Sequence, residues 1–127
     1  KTGDITRTGQ IWSFALEWHS SATPAISEGL VYVTDCGKNL HCIDAENGYP
    51  YWTHELHMAS WSSVLVADKK VYVGSRGRDF WILNEGKEKE VLHSVLLDSP
   101  IHSTPVAANG VLYISTMNRL YAITREK

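Results

Sequence analysis

Short apolar runs recur along this chain at intervals of about forty residues, and turn residues separate them. Three sets of segments carry this period, with copies 40 or 41 positions apart. The sets are Leu40–Ile43 with Phe80–Leu83 and Leu120–Ile123; Val31–Val33 with Val71–Val73 and Leu112–Ile114; and Thr23–Ile26 with Ser63–Val66 and Thr104–Ala107. Repeats of this length, made of short apolar strands and turns, are typical of β-propellers and solenoids.

Within one repeat, four strand-like runs with alternating apolar residues end at turn signals. In the first repeat these runs are 20–27, 30–34, 39–44 and 49–55. The dipeptide Asn47-Gly48 is a strong hairpin signal between the last two. Later repeats predict strands at 60–67, 71–75, 79–84, 90–97, 102–107, 111–115 and 119–124. Four antiparallel strands in about forty residues make one propeller blade.

The sequence therefore predicts an all-β chain, a β-propeller of four-stranded antiparallel blades with three blades' worth of residues. We treat 1–127 as a single propeller segment. Its parts are an outer strand of a preceding or closing blade within 1–17, a blade at 18–56, a blade at 57–98, and a blade lacking its outer strand at 99–127. The outer strand itself is expected at 10–16, because 4–12 resembles 44–52.

The third run of each repeat is expected to bury its recurring apolar residues against the neighbouring blades. These residues are Leu40, Ile43, Phe80, Leu83, Leu120 and Ile123. Three blades would leave two apolar end faces and an unpaired edge at 119–124, and such surfaces recruit partners. We expect either self-association, with two copies closing one ring, or the remaining blades of a longer chain.

The composition argues against a nucleic-acid-binding protein and against a membrane-spanning helix. The 127 residues are 43% hydrophobic and 20% charged, with a net charge of −2 and pI near 6.3. No basic cluster suggests a nucleic-acid partner, and no apolar run approaches a membrane span. Cys42 occupies a core slot of its strand, whereas a bridge to Cys36 across the hairpin is the alternative.

One set of equivalent positions is a candidate ligand site. Aligning the first runs places Ser21, Trp61 and His102 at the same point of successive repeats. In a propeller the first strand lines the central channel, so these side chains would meet near one mouth and offer stacking and hydrogen bonding to a small ligand or peptide. The alternative is that Trp61 plugs the channel or packs between blades.

No metal or catalytic residue is predicted. His54 and His57 form a His-x-x-His pair without further ligands, and the other histidines are spread over different repeats. The spacing matches no zinc or metalloprotease pattern.

Residues 40–52, Leu-His-Cys-Ile-Asp-Ala-Glu-Asn-Gly-Tyr-Pro-Tyr-Trp, resemble the tryptophan-docking repeat of the PQQ-like (quinoprotein) β-propeller family. The upstream segment 24–33 resembles the same family's blade opening. The resemblance implies that Trp12 and Trp52, after Gly9 and Gly48, dock structurally on an adjacent blade. The second full repeat departs from the pattern, because no Trp follows Gly86.

Dehydrogenases of this family bind PQQ near the axis, with calcium held by Glu, Asn and Asp, often beside a vicinal disulfide. This chain has no adjacent cysteines and no matching acid set. No cofactor is therefore predicted, and PQQ with calcium would require blades outside this chain. The family resemblance favours a bacterial protein of the periplasm or the secreted fraction.

The leading prediction is a non-catalytic propeller that serves as a binding or scaffold module for a protein or small polar ligand. One alternative is a piece of a PQQ-dependent dehydrogenase. Another is a carbohydrate-binding propeller that uses Trp61.

Overall fold

The computed structural model of the protein describes residues 9–124, which contain strands and turns and no helix. The strands are β1 (Ala25–Ser27), β2 (Leu30–Thr34), β3 (Asn39–Asp44), β4 (Pro50–Glu55), β5 (Leu65–Ala67), β6 (Lys70–Gly74), β7 (Asp79–Asn84), β8 (Val91–Leu96), β9 (Val106–Ala108), β10 (Val111–Ser115) and β11 (Leu120–Thr124). They form three antiparallel sheets in the orders β1-β2-β3-β4, β5-β6-β7-β8 and β9-β10-β11. These sheets are the first, second and third blades of a partial β-propeller, which confirms the predicted fold class.

The first hairpin of every blade turns through two residues with positive φ. The pairs are Glu28–Gly29 (51° and 76°), Asp68–Lys69 (52° and 60°) and Asn109–Gly110 (53° and 78°). Positive φ at both central residues is the type I′ turn, whose twist matches that of the flanking strands. The second blade differs in placing Lys69 where the other two have glycine.

The third and fourth strands of the first two blades share an irregularity. The register shifts between Cys42 and Ile43 in the first blade and between Ile82 and Leu83 in the second. Cα pairing joins Cys42 to Trp52 and Ile82 to His93. Trp52 and His93 therefore occupy equivalent positions in β4 and β8.

The core lies between blades. One buried cluster joins the first and second blades; its members are Leu30, Tyr32, Leu40, Cys42, Trp52, Leu56, Val64, Val71, Val73, Trp81 and Leu83. A smaller cluster of Phe80, Ile101 and Ile114 joins the second and third blades. Burial thus comes from one blade covering the next, as in other repeat architectures.

The burial prediction is right for the first two blades and wrong for the third. Leu40, Ile43, Phe80 and Leu83 are at most 2% exposed, whereas Leu120 is 71% and Ile123 is 44% exposed. The phase of the alternation is the same in all three. What differs is the neighbour, because no described strand or blade covers the outer edge of the third sheet.

The outer strand predicted at 10–16 does not form. No strand is assigned between residues 9 and 24, although Trp12, Phe14 and Leu16 are half-buried and the residues between them are exposed. The alternation of half-buried and exposed side chains therefore persists without backbone pairing to another strand. A strand needs a partner edge, and side chains alone hold this segment to the first blade: the Phe14 ring packs edge-on against His41 at 5.1 Å.

The first strand of each blade is shorter than predicted, because only three residues pair in each; in the third blade they extend one residue past the predicted end. Hydroxyl groups occupy the acceptors that a longer ladder would use. Ser20 Oγ donates to the Thr34 carbonyl (2.8 Å), and Ser60 Oγ donates to the Gly74 carbonyl (2.8 Å). Side-chain hydrogen bonds of this kind compete with regular strand pairing.

Candidate functional site

The innermost strands of the three blades begin side by side. The Thr23 amide donates to Ser63 Oγ (2.8 Å), and the Ser63 amide donates to Thr104 Oγ1 (3.0 Å). These residues are 40 and 41 positions apart, so each hydroxyl serves the equivalent residue of the preceding blade. The contacts align the segments that carry Ser21, Trp61 and His102 along one rim of the arc.

Trp61 and His102 meet on this rim. Their ring centroids are 5.3 Å apart with a tilt of 37°, and Trp61 remains 45% exposed. Ser21 is exposed, and its Oγ lies 4.0 Å from Cys36 Sγ in the first blade. Within residues 9–124, no hydrogen bond joins Ser21 to the other two. Trp61 and His102 therefore lie together, whereas Ser21 lies apart from them.

Arg76 joins the Trp61–His102 pair, and sequence analysis missed it. Its guanidinium carbon lies 4.0 Å from the centroid of the Trp61 ring, a cation–π geometry. The forty-residue period makes Arg76 the equivalent of Cys36, but only the structure shows that Cys36 lies beside Ser21. Met58 lies over Gly77, the residue after Arg76. We call Met58, Trp61, Arg76 and His102 the Trp61 platform.

A repeated backbone hydrogen bond sets this geometry. Residues 36, 76 and 117, in the loops between the second and third strands, donate their amides to carbonyls of the segment before the first strand. The bonds are Cys36 N to His19 O (2.9 Å), Arg76 N to Ala59 O (3.0 Å) and Met117 N to Pro100 O (3.0 Å). In the first two blades the loop residue lies beside the residue two positions after that carbonyl, with Cys36 near Ser21 and Arg76 over Trp61.

Carboxylates below the rim tie these loops to the third strands. Asp35 bonds His41 Nε2 (2.7 Å), Asp79 accepts from Ser75 and Trp81, and Asp98 accepts from Tyr121 (2.8 Å). The three carboxylates do not occupy equivalent positions in their repeats. Each nevertheless bonds the side chain at the same position of a third strand, residue 41, 81 or 121. These acids are committed to internal partners and support the rim.

The pKa directions agree with that role. Burial by itself would raise the pKa of Asp35, but hydrogen bonds from His41 and from the Asn39 and Gly37 amides bring it below the usual value. Burial likewise opposes the hydrogen bonds from Tyr121 and Thr116 that leave the pKa of Asp98 lowered. Both carboxylates are thus ionised acceptors at neutral pH.

Trp12 and Trp52 each reach a turn between third and fourth strands. Trp12 Nε1 donates to the Ala45 carbonyl (3.0 Å), and its ring lies over Gly48, where a Cβ would be 2.8 Å from Trp12 Cδ2. Trp52 Nε1 donates to the Gly86 carbonyl of the second blade (2.9 Å). Gly9 is half-buried at the start of the described residues.

The junction between the second and third blades lacks such an indole. His93 stands where Trp52 stands, and it lines an open cleft of about 700 Å³. The cleft is mostly apolar, and Tyr72, Ile82, Leu112 and Ile123 also line it. The equivalent surfaces of the first junction enclose Trp52. The missing tryptophan noted in the sequence therefore leaves a space at this junction.

The residues present do not fit a PQQ–calcium site. Among residues 9–124 no group of three or more His, Cys, Asp or Glu side chains could hold a metal ion. Asp35 and Asp79 are already engaged with His41, Ser75 and Trp81. Both cysteines are free thiols, and burial raises the pKa of Cys42 to about 11, as suits a core residue.

Antiparallel blades joined by indoles that dock on the next blade's turn define a PQQ-like, tryptophan-docking β-propeller. The chain belongs to the family described as outer membrane protein assembly factor BamB, whose sequence model matches residues 4–126. The described residues contain no helix long and apolar enough to cross a membrane. A search of curated protein sequences gave no match.

Two solved structures show the same fold. BamB from Moraxella catarrhalis superposes with a TM-score of 0.79 at 19% identity, over 89% of this chain and 36% of that chain. The quinohemoprotein alcohol dehydrogenase ADHIIG from Pseudomonas putida HK5 gives a TM-score of 0.69 at 23% identity, over 80% of this chain and 17% of that chain. The chain thus spans about a third of the first relative and less of the second.

Proposed function

We propose that this chain is part of a non-catalytic propeller that binds proteins as a scaffold in the cell envelope, on the periplasmic side. The family is described as an outer membrane protein assembly factor, which supports both the role and the location. A propeller of this kind offers rigid rims, and function in such folds resides in sites carried by the rims.

The observation that carries the proposal is the exposed Trp61. Its ring contacts both the His102 imidazole and the Arg76 guanidinium, yet almost half of its surface faces solvent. Tryptophan and arginine are enriched among the few residues that carry most of the binding energy of protein interfaces. An exposed indole fixed by its neighbours is already in a binding-ready position.

The test is site-specific photo-crosslinking in the source cells. A Trp61→p-benzoylphenylalanine variant should give a discrete adduct with a defined protein, which mass spectrometry identifies and purified proteins reproduce. The matched control is the same substitution at Tyr49, which is 59% exposed on a β3–β4 turn. Adducts of equal yield from both positions, or none from position 61, would contradict the proposal.

Two alternatives give different results. A carbohydrate-binding propeller would be supported by binding on a glycan array that Trp61→Ala abolishes, with no protein adduct. A dehydrogenase fragment would need dye reduction after addition of PQQ and calcium, for which the described residues supply no ligand set. The scaffold function predicts neither signal.

A further inference from the structure

The Trp61 platform lies within a longer run of exposed apolar side chains on the same rim. Trp18 is 62%, Met58 51% and Met117 63% exposed. Trp18 and Met58 are forty positions apart and cover the loop glycine of their own blade. A Cβ on Gly37 would lie 2.7 Å from Trp18 Cδ1, and one on Gly77 would lie 2.6 Å from Met58 Cγ. The first two blades therefore each place an apolar side chain over the loop glycine on this rim, and Glu17 Oε1 also lies near the Cβ position of Gly37 (2.9 Å).

Arg76 gives the centre of this surface its charge. Two other cations near the rim loops have acidic neighbours. Arg119 lies 3.8 Å from Asp98, and Lys38 lies 4.0 Å from Glu55. In the part of the chain that the structure describes, Arg76 makes no ion pair; its contact is the face of Trp61. Stacking on an indole fixes the guanidinium plane while its edge N–H groups remain open to a ligand.

Asp79, which follows this loop in the same blade, does not neutralise this cation. Asp79 is 2% exposed and accepts from Ser75 and Trp81, so its oxygens are directed into the blade. A planar guanidinium with open donors recognises carboxylates in bidentate geometry. Met58 and Trp61 beside it offer adaptable and flat apolar surfaces, respectively.

We propose that the Trp61 platform binds an acidic segment of a partner protein, with a carboxylate on Arg76 and an adjacent apolar side chain against Trp61 and Met58. This inference rests on the proposed scaffold function and names the chemistry of its partner. Trp18 and Met117 lie on the flanking blades and extend the apolar contact.

The experiment titrates the full 127-residue chain with three blocked peptides while the indole N–H signals are followed by NMR. The peptides are Asp-Glu-Leu-Phe-Asp, its amide counterpart Asn-Gln-Leu-Phe-Asn, and the acidic but apolar-free Asp-Glu-Ser-Gly-Asp. Trp12, Trp52 and Trp81 bond their indole N–H groups internally, so the Trp61 signal, assigned with Trp61→Phe, reports the site.

The first peptide should shift the Trp61 signal and bind at least tenfold more tightly than either of the others, with affinity falling as salt is added. Arg76→Gln should remove the preference for the acidic peptide and leave the fold intact, as judged by the remaining indole signals. Tyr49→Ala, remote from the rim loops, should change nothing.

Equal binding of the acidic and amide peptides would overturn the proposal, as would an unshifted Trp61 signal. A neutral oligosaccharide that shifts Trp61 when no peptide does would also overturn it, in favour of a sugar ligand. These results are separable from the scaffold function, because the crosslink from position 61 reports a protein partner of any chemistry.

Discussion

At the residue scale, equivalent positions in successive blades differ in burial because they differ in neighbours. Phe80 packs with Ile101 and Ile114 at 2% exposure, while Leu120, forty positions later, is 71% exposed. The sequence assigns both to the same strand position. Only the presence of a following blade decides which one is core.

Phe80→Ala should therefore lower the free energy of unfolding by about 3–5 kcal/mol, the usual cost of deleting a buried phenyl ring. The matched control is Leu120→Ala, which should cost less than about 0.5 kcal/mol as a surface change. Urea denaturation of both variants measures the difference. Equal losses would mean that the two positions are equally buried in solution.

His54 makes folding sensitive to acid. It is 6% exposed, its ring lies edge-on to Trp81 at 4.5 Å, and neither ring nitrogen has a hydrogen-bond partner in the described structure. Burial, helped by Lys89 and His57 and opposed by Asp79 and Glu55, lowers the pKa of His54 to about 4. The unfolded chain, with a pKa of 6.5, binds the proton more readily.

Stability should consequently fall as the pH drops below about 6.5 and level off, for this group, below about 4. Between about pH 7 and pH 5 the loss should be about 2 kcal/mol. The measurement is urea unfolding across that range, compared with His54→Leu, which should show a flatter profile. Parallel profiles for the two proteins would assign the acid sensitivity to other groups.

At the element scale, the hairpins show how local chemistry and blade geometry agree or conflict. All three first hairpins are type I′, but Lys69 holds a φ of 60° where Gly29 and Gly110 hold 76° and 78°. A side chain in this region is strained, and glycine is not. The second blade thus keeps the type I′ turn even though Lys69 makes it locally strained.

Lys69→Gly should stabilise the chain by about 0.5–1 kcal/mol, since relief of strain exceeds the added freedom of the unfolded chain. The reverse change, Gly29→Lys, should destabilise by about 1 kcal/mol, because nothing lies within 4 Å of the Gly29 Cβ position and only the backbone is affected. Thermal unfolding of the pair gives the signs. Changes of the same sign would show that Lys69 makes a compensating contact.

The docking indole is the second element-scale device. His93 occupies in β8 the place of Trp52 in β4, beside an open cleft. His93→Trp should fill part of this cleft and raise stability by about 0.5–2 kcal/mol, as cavity filling commonly does. Val91→Trp, a change of similar size on the same strand that does not line the cleft, should give no gain. A loss in His93→Trp would show that the two blades close over the space in solution.

At the scale of the whole molecule, the arc has an open end. The strand β11 is exposed at nearly every position, and Val106 and Leu120 of the third blade present apolar surface. Large apolar faces and unpaired edges favour association. In the related BamB structure this arc corresponds to 36% of the chain.

The isolated 127-residue chain should therefore self-associate, with a two-copy ring as the proposed form. Size exclusion with light scattering should show a mass that rises with concentration toward twice the monomer, and Leu120→Glu, at a 71% exposed residue of the open-end strand β11, should shift it back. A concentration-independent monomer of the unaltered chain would refute this. The corresponding Val91→Glu change, at an exposed residue on the outer strand of the middle blade, is the control.

The sequence by itself determined the repeat, the strand order and the blade. It did so because period-two alternation and turn residues act locally, so the strands and turns of each forty-residue unit depend on the residues of that unit. The resemblance to the tryptophan-docking repeat pointed to Trp12 and Trp52 and to the absence of a tryptophan after Gly86.

Tertiary structure alone decided what lies between units. It buried Phe80 and exposed Leu120, left residues 10–16 without a partner strand, and brought Arg76 over Trp61 while leaving Ser21 beside Cys36. These outcomes depend on which blade or loop stands next to a residue. No local pattern encodes a neighbour fifteen or forty positions away, since its contact is fixed only when the blades pack.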